Sequence, residues 1–251
     1  MRRLAIAVGL AAGLSASACS PFHAYSPGTR LGTVEGPGTL LPGQHSVALS
    51  GGYAGAMSFG FNDDSVSHFA LRGRAGLARN VDAAFDVAVS ETVARAFDPT
   101  SSCVSTSCSE TVRRTTFHTR AGIKYEVAPR VLSFVAGVGL GTSELGEFFS
   151  PDIGFVVGYE NPYFVPFASW TIGFSLPFNS RNVTVAHVTD TAHRTRIQQY
   201  TFGYRVPIGE RISETGRRFN LGAAMTFTSF DDSARSDLYF GFAFAFETVI
   251  N

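Results

Sequence analysis

The stretch "LYFGFAFAFE" at residues 238–247 alternates between large and small side chains with a period of two. The large apolar positions are Leu238, Phe240, Phe242, Phe244 and Phe246, and the positions between them are Tyr239, Gly241, Ala243 and Ala245. A period of two places alternate side chains on opposite faces of a β-strand. A soluble core could bury the bulky face but would rarely leave the other face this small. The pattern therefore predicts a strand with its bulky face in lipid and its small face lining a narrow barrel.

The same period begins at residue 45 and continues to the end of the chain. We predict ten strands, at about 45–60, 66–78, 81–95, 113–127, 131–142, 152–160, 163–176, 195–206, 218–229 and 238–247. Most have the roughly 9–11 residues or more that a tilted transmembrane strand needs. The expected fold class is all-β, an antiparallel up-and-down transmembrane β-barrel of about ten strands. Eight or twelve strands are also compatible, because residues 182–189 could hold another short strand.

The connections between the predicted strands alternate in length. Tight connections are "RN" at 79–80, "APR" at 128–130 and "NP" at 161–162, whereas polar and often longer ones include 97–111 and 178–194. Outer-membrane barrels have short periplasmic turns and longer extracellular loops. This alternation predicts a barrel in the bacterial outer membrane.

The N-terminus has the three regions of a secretory signal peptide, which we place at residues 1–18. Arg2 and Arg3 precede the apolar run "LAIAVGLAAGL" at 4–14, and "ASAC" at 16–19 supplies a cleavage region. The same residues resemble a bacterial lipobox, which would make Cys19 the lipidation site. Cleavage by ordinary signal peptidase, with Cys19 free, is the alternative. The Pro/Gly-rich residues 19–44 are predicted to be a tether before a barrel domain at 45–251.

The composition narrows the possible functions. Lys plus Arg equals Asp plus Glu at 20 each, so no basic field favours a nucleic-acid partner. Beyond the N-terminus there is no apolar run of about 20 residues, so we expect no transmembrane helix in the mature chain. No cofactor or metal motif is present, and we expect no cofactor, no metal and no enzymatic activity.

The C-terminal pattern Tyr239-x-Gly241-x-x-Phe244-x-Phe246 resembles the signal that outer-membrane assembly machinery reads. The arrangement as a whole resembles the small, poorly characterised outer-membrane β-barrel proteins of Gram-negative bacteria. The resemblance covers roughly residues 45–249 and is architectural. It implies two partners, outer-membrane lipid and the barrel assembly machinery, and it brings no catalytic residue with it.

Charged residues fall on the predicted inner face of several strands. Keeping the apolar faces outward places an arginine of the second strand opposite an aspartate of the third and puts charges on the even positions of the fourth. The predicted lumen charges are Arg72, Arg74, Asp82, Asp86, His118, Arg120, Lys124 and Glu126. In a narrow barrel, opposed charges would pair and fill the interior. A charged constriction that passes small ions is the alternative.

Two loops contain residues with possible chemistry. Cys103 and Cys108 are expected to form a local disulfide in an oxidising compartment. His187, Asp190 and His193 share one loop, but their spacing matches no catalytic or metal motif. The function we favour is a structural or interaction role through extracellular loops. The alternatives are a narrow pore, an outer-membrane protease or lipid-modifying enzyme, and a soluble periplasmic ligand binder.

Overall fold

The computed structural model describes residues 33–57, 64–97, 109–185, 188–208, 217–231 and 236–250. These form β1 (His45–Ala56), β2 (Ser65–Ala78), β3 (Val81–Phe97), β4 (Ser109–Ala128), β5 (Leu132–Ser143), β6 (Gly146–Gly158), β7 (Val165–Ser180), β8 (Val183–Val185), β9 (Val188–Asp190), β10 (Thr195–Ile208), β11 (Arg217–Asp231) and β12 (Ser236–Ile250). In the described part of the chain, no helix is long and apolar enough to cross a membrane.

Ten of these strands close into one antiparallel barrel. Each pairs with the barrel strand that precedes it along the chain, and β1 pairs with β12 from His45↔Ile250 to Ala56↔Tyr239. Closure matters because backbone groups in hydrocarbon have no water to bond, so a spanning sheet must have no free edge. The predicted fold class and the strand number of ten are both confirmed.

Side-chain size and polarity separate sharply between the two faces of the barrel. Every barrel strand exposes large apolar side chains on its outer face, and in β12 Phe244 is 62% exposed while its neighbour Ala243 is 1% exposed. Charged side chains are buried inside instead. This is the architecture of an outer-membrane barrel, with an apolar belt outside and a polar interior. A soluble ligand binder would not leave such a belt in water, so that alternative does not fit.

The two ends of the barrel differ in the length of most of their connections. One end has the short connections 79–80 and 129–131, and the second of these contains Arg130 at a φ of 59°. At the opposite end the connections are longer, except between β5 and β6, which only Glu144 and Leu145 join. Short turns face the periplasm in outer-membrane barrels, so we call the first of these the periplasmic end and the opposite one the extracellular end.

The sixth strand begins earlier than the sequence predicts. We expected it from about residue 152, but β6 starts at Gly146, and only Glu144 and Leu145 connect it to β5. The adjacent residues Phe148 and Phe149 point to opposite faces, and Pro151 lies within the strand. Both features obscure the alternating pattern. In the β6–β7 register the pair Phe149↔Leu176 is followed by Asp152↔Gly173, so the described pairing skips Ser150 and Pro151.

The short strands β8 and β9 answer the question of an eleventh or twelfth barrel strand. They pair with each other through Val183↔Asp190, Thr184↔Thr189 and Val185↔Val188 and form a separate two-stranded sheet. The extra strands therefore exist, but they belong to the extracellular connection between β7 and β10.

At the extracellular end, β3 and β4 continue past the apolar belt. Their outward-facing residues change from Val89 and Phe117 to the ion pair Glu91–Arg113, whose Oε1 and Nη1 lie 3.7 Å apart. The register then continues to Phe97↔Ser109. We call the paired residues 91–97 and 109–115 the extracellular ribbon.

Most of the described part of the predicted tether lies inside the barrel. Residues 33–41, which we call the lumen segment, enter at the periplasmic end beside β2. The chain is fixed there because Gly43 N donates to Gly76 O at 3.2 Å and Gly76 N donates to Gln44 O at 2.9 Å. Thr33, Glu35 and Leu40 are all less than 10% exposed. No pattern in the sequence predicted this position, because the segment has no periodicity.

Candidate functional site

The candidate site is the charged lumen, in which two ionic networks line the wall. The first, the mid-lumen network, consists of Arg72, Asp86, Arg120 and Asp152 from β2, β3, β4 and β6. Arg120 binds both carboxylate oxygens of Asp152, donating from Nε to Oδ2 at 2.6 Å and from Nη2 to Oδ1 at 2.7 Å. It also donates from Nη1 to Asp86 at 3.2 Å, and Asp86 pairs with Arg72. Two-pronged binding of this kind is the strongest arginine–carboxylate geometry.

The second, the periplasmic network, links Asp82, Arg74, Glu247, Arg205 and Glu160. Arg74 pairs with Asp82 and lies 3.4 Å from Glu247, measured from Nη1 to Oε1. The other oxygen of Glu247 accepts from Arg205 Nη1 at 2.9 Å, and Arg205 Nη2 lies 3.1 Å from Glu160. Removal of one partner from a buried chain of this kind would leave uncompensated charge.

Both networks run along the wall. Their described ion pairs join strands that are neighbours or that have one strand between them, as Arg74 on β2 reaches Glu247 on β12 across β1. Among the wall residues that the structure describes, these ion pairs do not cross the barrel axis. The lumen segment occupies that position.

Glu35 connects the lumen segment to two strands of the wall. Its carboxylate lies 3.1 Å from Arg72 Nη1 on β2 and 3.2 Å from Lys124 Nζ on β4. The residue is 6% exposed. One acidic side chain therefore bridges cations from two strands.

The backbone carbonyls of the lumen segment provide further contacts. Lys124 Nζ donates to Gly36 O at 2.5 Å and to Gly38 O at 2.8 Å, and Arg74 Nη2 donates to Gly38 O at 3.4 Å. The hydroxyl of Ser133 donates to Pro37 O. Because carbonyls are the acceptors, most of this recognition does not depend on the side chains of the segment.

Wall carboxylates accept the donors of the segment. Leu40 N donates to Asp82 at 2.8 Å, Gly38 N donates to Glu160 at 2.9 Å, and Thr39 Oγ1 donates to Glu126 at 2.8 Å. A Cβ atom on Gly38 would lie 2.6 Å from the carboxyl carbon of Glu160. The glycine therefore allows the backbone to approach the wall charges closely.

An apolar contact holds the inner end of the segment. Val34 packs against a buried cluster of Val135, Val156, Phe167 and Ala224. A second apolar cluster, nearer the extracellular end, contains Val66, Ile197, Phe230 and Tyr239. Between them, the described lumen is lined mainly by buried polar side chains.

The structure brings together the lumen charges that we selected from the sequence. Arg72, Arg74, Asp82, Asp86, Arg120, Lys124 and Glu126 lie in or beside the two networks, and His118 is buried on β4 further toward the extracellular end. Arg72 lies directly opposite Asp86 in the β2–β3 register.

Sequence reasoning missed five members of the site, Glu35, Asp152, Glu160, Arg205 and Glu247. Four of them were within reach of the rule we used. Asp152, Arg205 and Glu247 occupy inward positions of strands whose alternate residues are large and apolar. Glu160 has the same parity as Asp152 at the end of the predicted strand 152–160, although the structure places it just beyond β6. Glu35 lies in a segment without periodicity, so the pattern held no signal for it.

The remaining candidate residues are distributed as follows. In β12, Tyr239 and Gly241 face the lumen while Phe244 and Phe246 face outward. Asp190 ends β9, and His193 follows it. Cys19, Cys103, Cys108 and His187 lie outside the described residues, so the predicted lipidation and disulfide stay predictions. Within the described ranges, no group of three or more His, Cys, Asp or Glu residues could hold a metal ion.

Comparison with known proteins gives structural similarity only. No protein-family model and no curated protein matches the chain. Similar solved structures include the outer membrane protease OmpT from Escherichia coli, at 9% identity and a TM-score of 0.41, covering 82% of this chain and 95% of that chain. They also include the β domain of the Bordetella autotransporter BrkA, at 11% identity and a TM-score of 0.45, covering 83% of this chain and 99% of that chain. The translocator domain of autotransporter NalP from Neisseria meningitidis matches at 10% identity and a TM-score of 0.36, covering 83% of this chain and 88% of that chain.

Proposed function

We propose that this protein is an outer-membrane barrel that is closed at rest and has a non-enzymatic structural or interaction role at its extracellular end. The observation that carries the proposal is the lumen segment. It lies on the barrel axis, where Glu35 bridges Arg72 and Lys124. A barrel filled in this way does not offer solutes the open path of a general pore.

The extracellular end supports the second half of the proposal. The extracellular ribbon extends past the apolar belt, and β8 and β9 add a small sheet between β7 and β10. The periplasmic end has no described extension of this kind, and its turns at 79–80 and 129–131 are short. Loops and extensions on a rigid scaffold are where binding residues concentrate.

Planar-bilayer recording tests the closed state. The refolded wild-type protein is expected to insert without producing a steady ion current, because the lumen segment blocks the path. Insertion is checked separately, by flotation of protein-containing liposomes. A steady current from the wild-type protein would refute the closed barrel.

Thiol labelling of intact cells tests which end is outside. In a chain with the native cysteines replaced by serine, Arg113→Cys should react with a membrane-impermeant maleimide, because the Arg113 side chain is 72% exposed on the ribbon. Asn80→Cys, in a periplasmic turn, should react only after lysis. The reverse pattern would move the proposed working surface to the other side of the membrane.

We also propose that the barrel assembly machinery recognises β12 and that lipid anchors the chain at Cys19. Phe246 faces outward on β12, which completes the barrel by pairing with β1. Phe246→Ser should reduce assembly in cells while the purified variant still refolds in detergent. Assembly as efficient as that of wild type would refute recognition of β12.

Cys19→Ser should abolish incorporation of labelled fatty acid into the protein. Incorporation unchanged from wild type would refute the lipid anchor.

A further inference from the structure

We propose that the lumen segment is a gate, and that its displacement opens a path for small inorganic ions through the barrel. This goes beyond the closed resting state, because it assigns the protein a conducting state. Three features of the lumen support a gate: the element that closes it, the way that element is attached and the space that its displacement would leave.

At the level of the two networks, the described ion pairs run along the wall and none of them spans the lumen. The Arg120–Asp152 and Arg205–Glu247 pairs each reach across one intervening strand. Arg120 can do so because Gly137 lies beneath it, where a Cβ atom would overlap the guanidinium group. The lumen segment fills the remaining space.

The size of that space follows from what occupies it. An extended chain has a cross-section of about 5 by 10 Å, as the spacings of strands and sheets show. Displacement of the segment would leave a passage of roughly that size, lined by charged groups that water can solvate. Small hydrated ions fit such a passage, whereas large solutes do not.

The attachment of the segment is of a kind that can be reversed. Most of its described contacts are hydrogen bonds and ion pairs, which water can replace one for one. The wall charges also keep partners after displacement, since Arg74 retains Asp82 and Glu247, and Arg72 retains Asp86. Opening therefore does not strand these wall charges.

Lys124 is the exception, and it provides a marker for the path. Its described hydrogen bonds and ion pair all go to the segment, at Glu35, Gly36 and Gly38. After displacement, its ammonium group would face the open passage. Charged side chains at a constriction set ion selectivity, so the charge at position 124 should influence any current that passes through the lumen.

Gly76 offers a way to displace the segment in the full-length chain. A Cβ atom on this residue would overlap the carbonyl of Leu41 and lie 2.8 Å from its carbonyl carbon. Gly76→Val therefore excludes the segment from its entry point. Gly73, three residues away on the same strand, has open space, since the atom nearest to its Cβ lies 4.0 Å away. Gly73→Val, which points to the outer face, is the control for a valine in this strand.

Two further variants guard against misfolding and test the direction of the effect. Glu35→Lys places a cation against Arg72 and Lys124 and should repel the segment without touching the wall. Val34→Cys with Gly222→Cys, in a chain whose native cysteines are serine, should lock the segment. A Cβ atom on residue 222 would lie directly against Val34 Cγ1, which suits a disulfide.

Planar-bilayer conductance with a labelling readout tests the gate. Gly76→Val and Glu35→Lys should each give a steady current that wild type and Gly73→Val lack. Each should also expose a cysteine at position 34 to a water-soluble maleimide. The disulfide lock should remove the current of Gly76→Val until reductant is added. In that background, Lys124→Glu should shift the reversal potential toward cation selectivity.

Two results would overturn the gate. The first is labelling of position 34 in both opening variants without any current, which would mean that the wall closes the barrel alone. The second is a current that is indifferent to the lock and to Lys124→Glu, which would mean a leak outside the lumen. In both cases wild type stays non-conducting and the closed resting barrel stands, whereas a wild-type current would refute the closed barrel itself.

Discussion

At the scale of single residues, long charged side chains inside this barrel lie over small neighbouring residues. Arg120 on β4 reaches Asp152 on β6 only because β5 presents Gly137 between them. A larger side chain at position 137 would push the guanidinium group away from its partner. The small inner residues that first suggested a lumen therefore have a specific purpose, which is to leave room for long charged neighbours.

The pairing of Arg120 with Asp152 should be energetically important. Arg120→Met removes both hydrogen bonds that Asp152 receives from this arginine, and loss of one partner of a buried ion pair typically costs about 3–5 kcal/mol. Asp152→Asn in the same chain removes the stranded charge and should restore part of the loss. Urea-unfolding midpoints in detergent measure both effects. Equal loss in the single and double variants would contradict the pairing.

The orientation of β12 can be tested at Phe242, which is 49% exposed near the middle of the outer face. Phe242→Arg places a charge at mid-bilayer, which costs roughly 2–4 kcal/mol in a barrel. Insertion into liposomes should therefore fail or become much less stable. Phe242→Leu is the control and should insert normally, and Ala243→Ser on the lumen face should have a much smaller effect. Equal insertion of Phe242→Arg and Phe242→Leu would show that this face does not meet lipid.

At the scale of secondary-structure elements, the strands followed from the sequence and the lumen segment did not. A strand between lipid and lumen must alternate in side-chain type, so its pattern is visible without any structure. The segment at 33–41 is held mainly through its backbone carbonyls and amides, which every sequence possesses. Its Pro/Gly-rich composition suggested a tether, but the structure shows that Gly36 and Gly38 lie against charged side chains of the wall.

The extracellular ribbon should be dispensable for the barrel. Its residues lie past the apolar belt, so their pairing adds little to the membrane-spanning part. Replacement of residues 95–111 by Asn-Gly, a favoured two-residue hairpin turn, removes Cys103 and Cys108 together with the tip. The variant should insert into membranes as wild type does and resist detergent unfolding equally well. Loss of insertion would show that the ribbon helps to form the barrel.

At the scale of the whole molecule, closure and facing could be derived from the sequence because one physical constraint, the bilayer, acts on every strand. The sequence favoured ten strands but left eight and twelve open. The lumen charges on β2 to β4 followed from the same alternation, and those on β6, β10 and β12 could have followed from it. What fills the axis could not be derived, since any residue of either end of the chain could fold inward. The described structure assigns no role to the loop residues Asp190 and His193, and His187 lies outside the described residues.

The closed membrane barrel is tested most directly by heat modifiability. Outer-membrane fractions are run on a denaturing gel with and without boiling. A closed barrel resists detergent until it is heated, so the unboiled protein should run at a different apparent mass from the boiled protein. Identical mobility, together with release of the protein in the soluble periplasmic fraction, would contradict the membrane barrel and everything argued from its lumen.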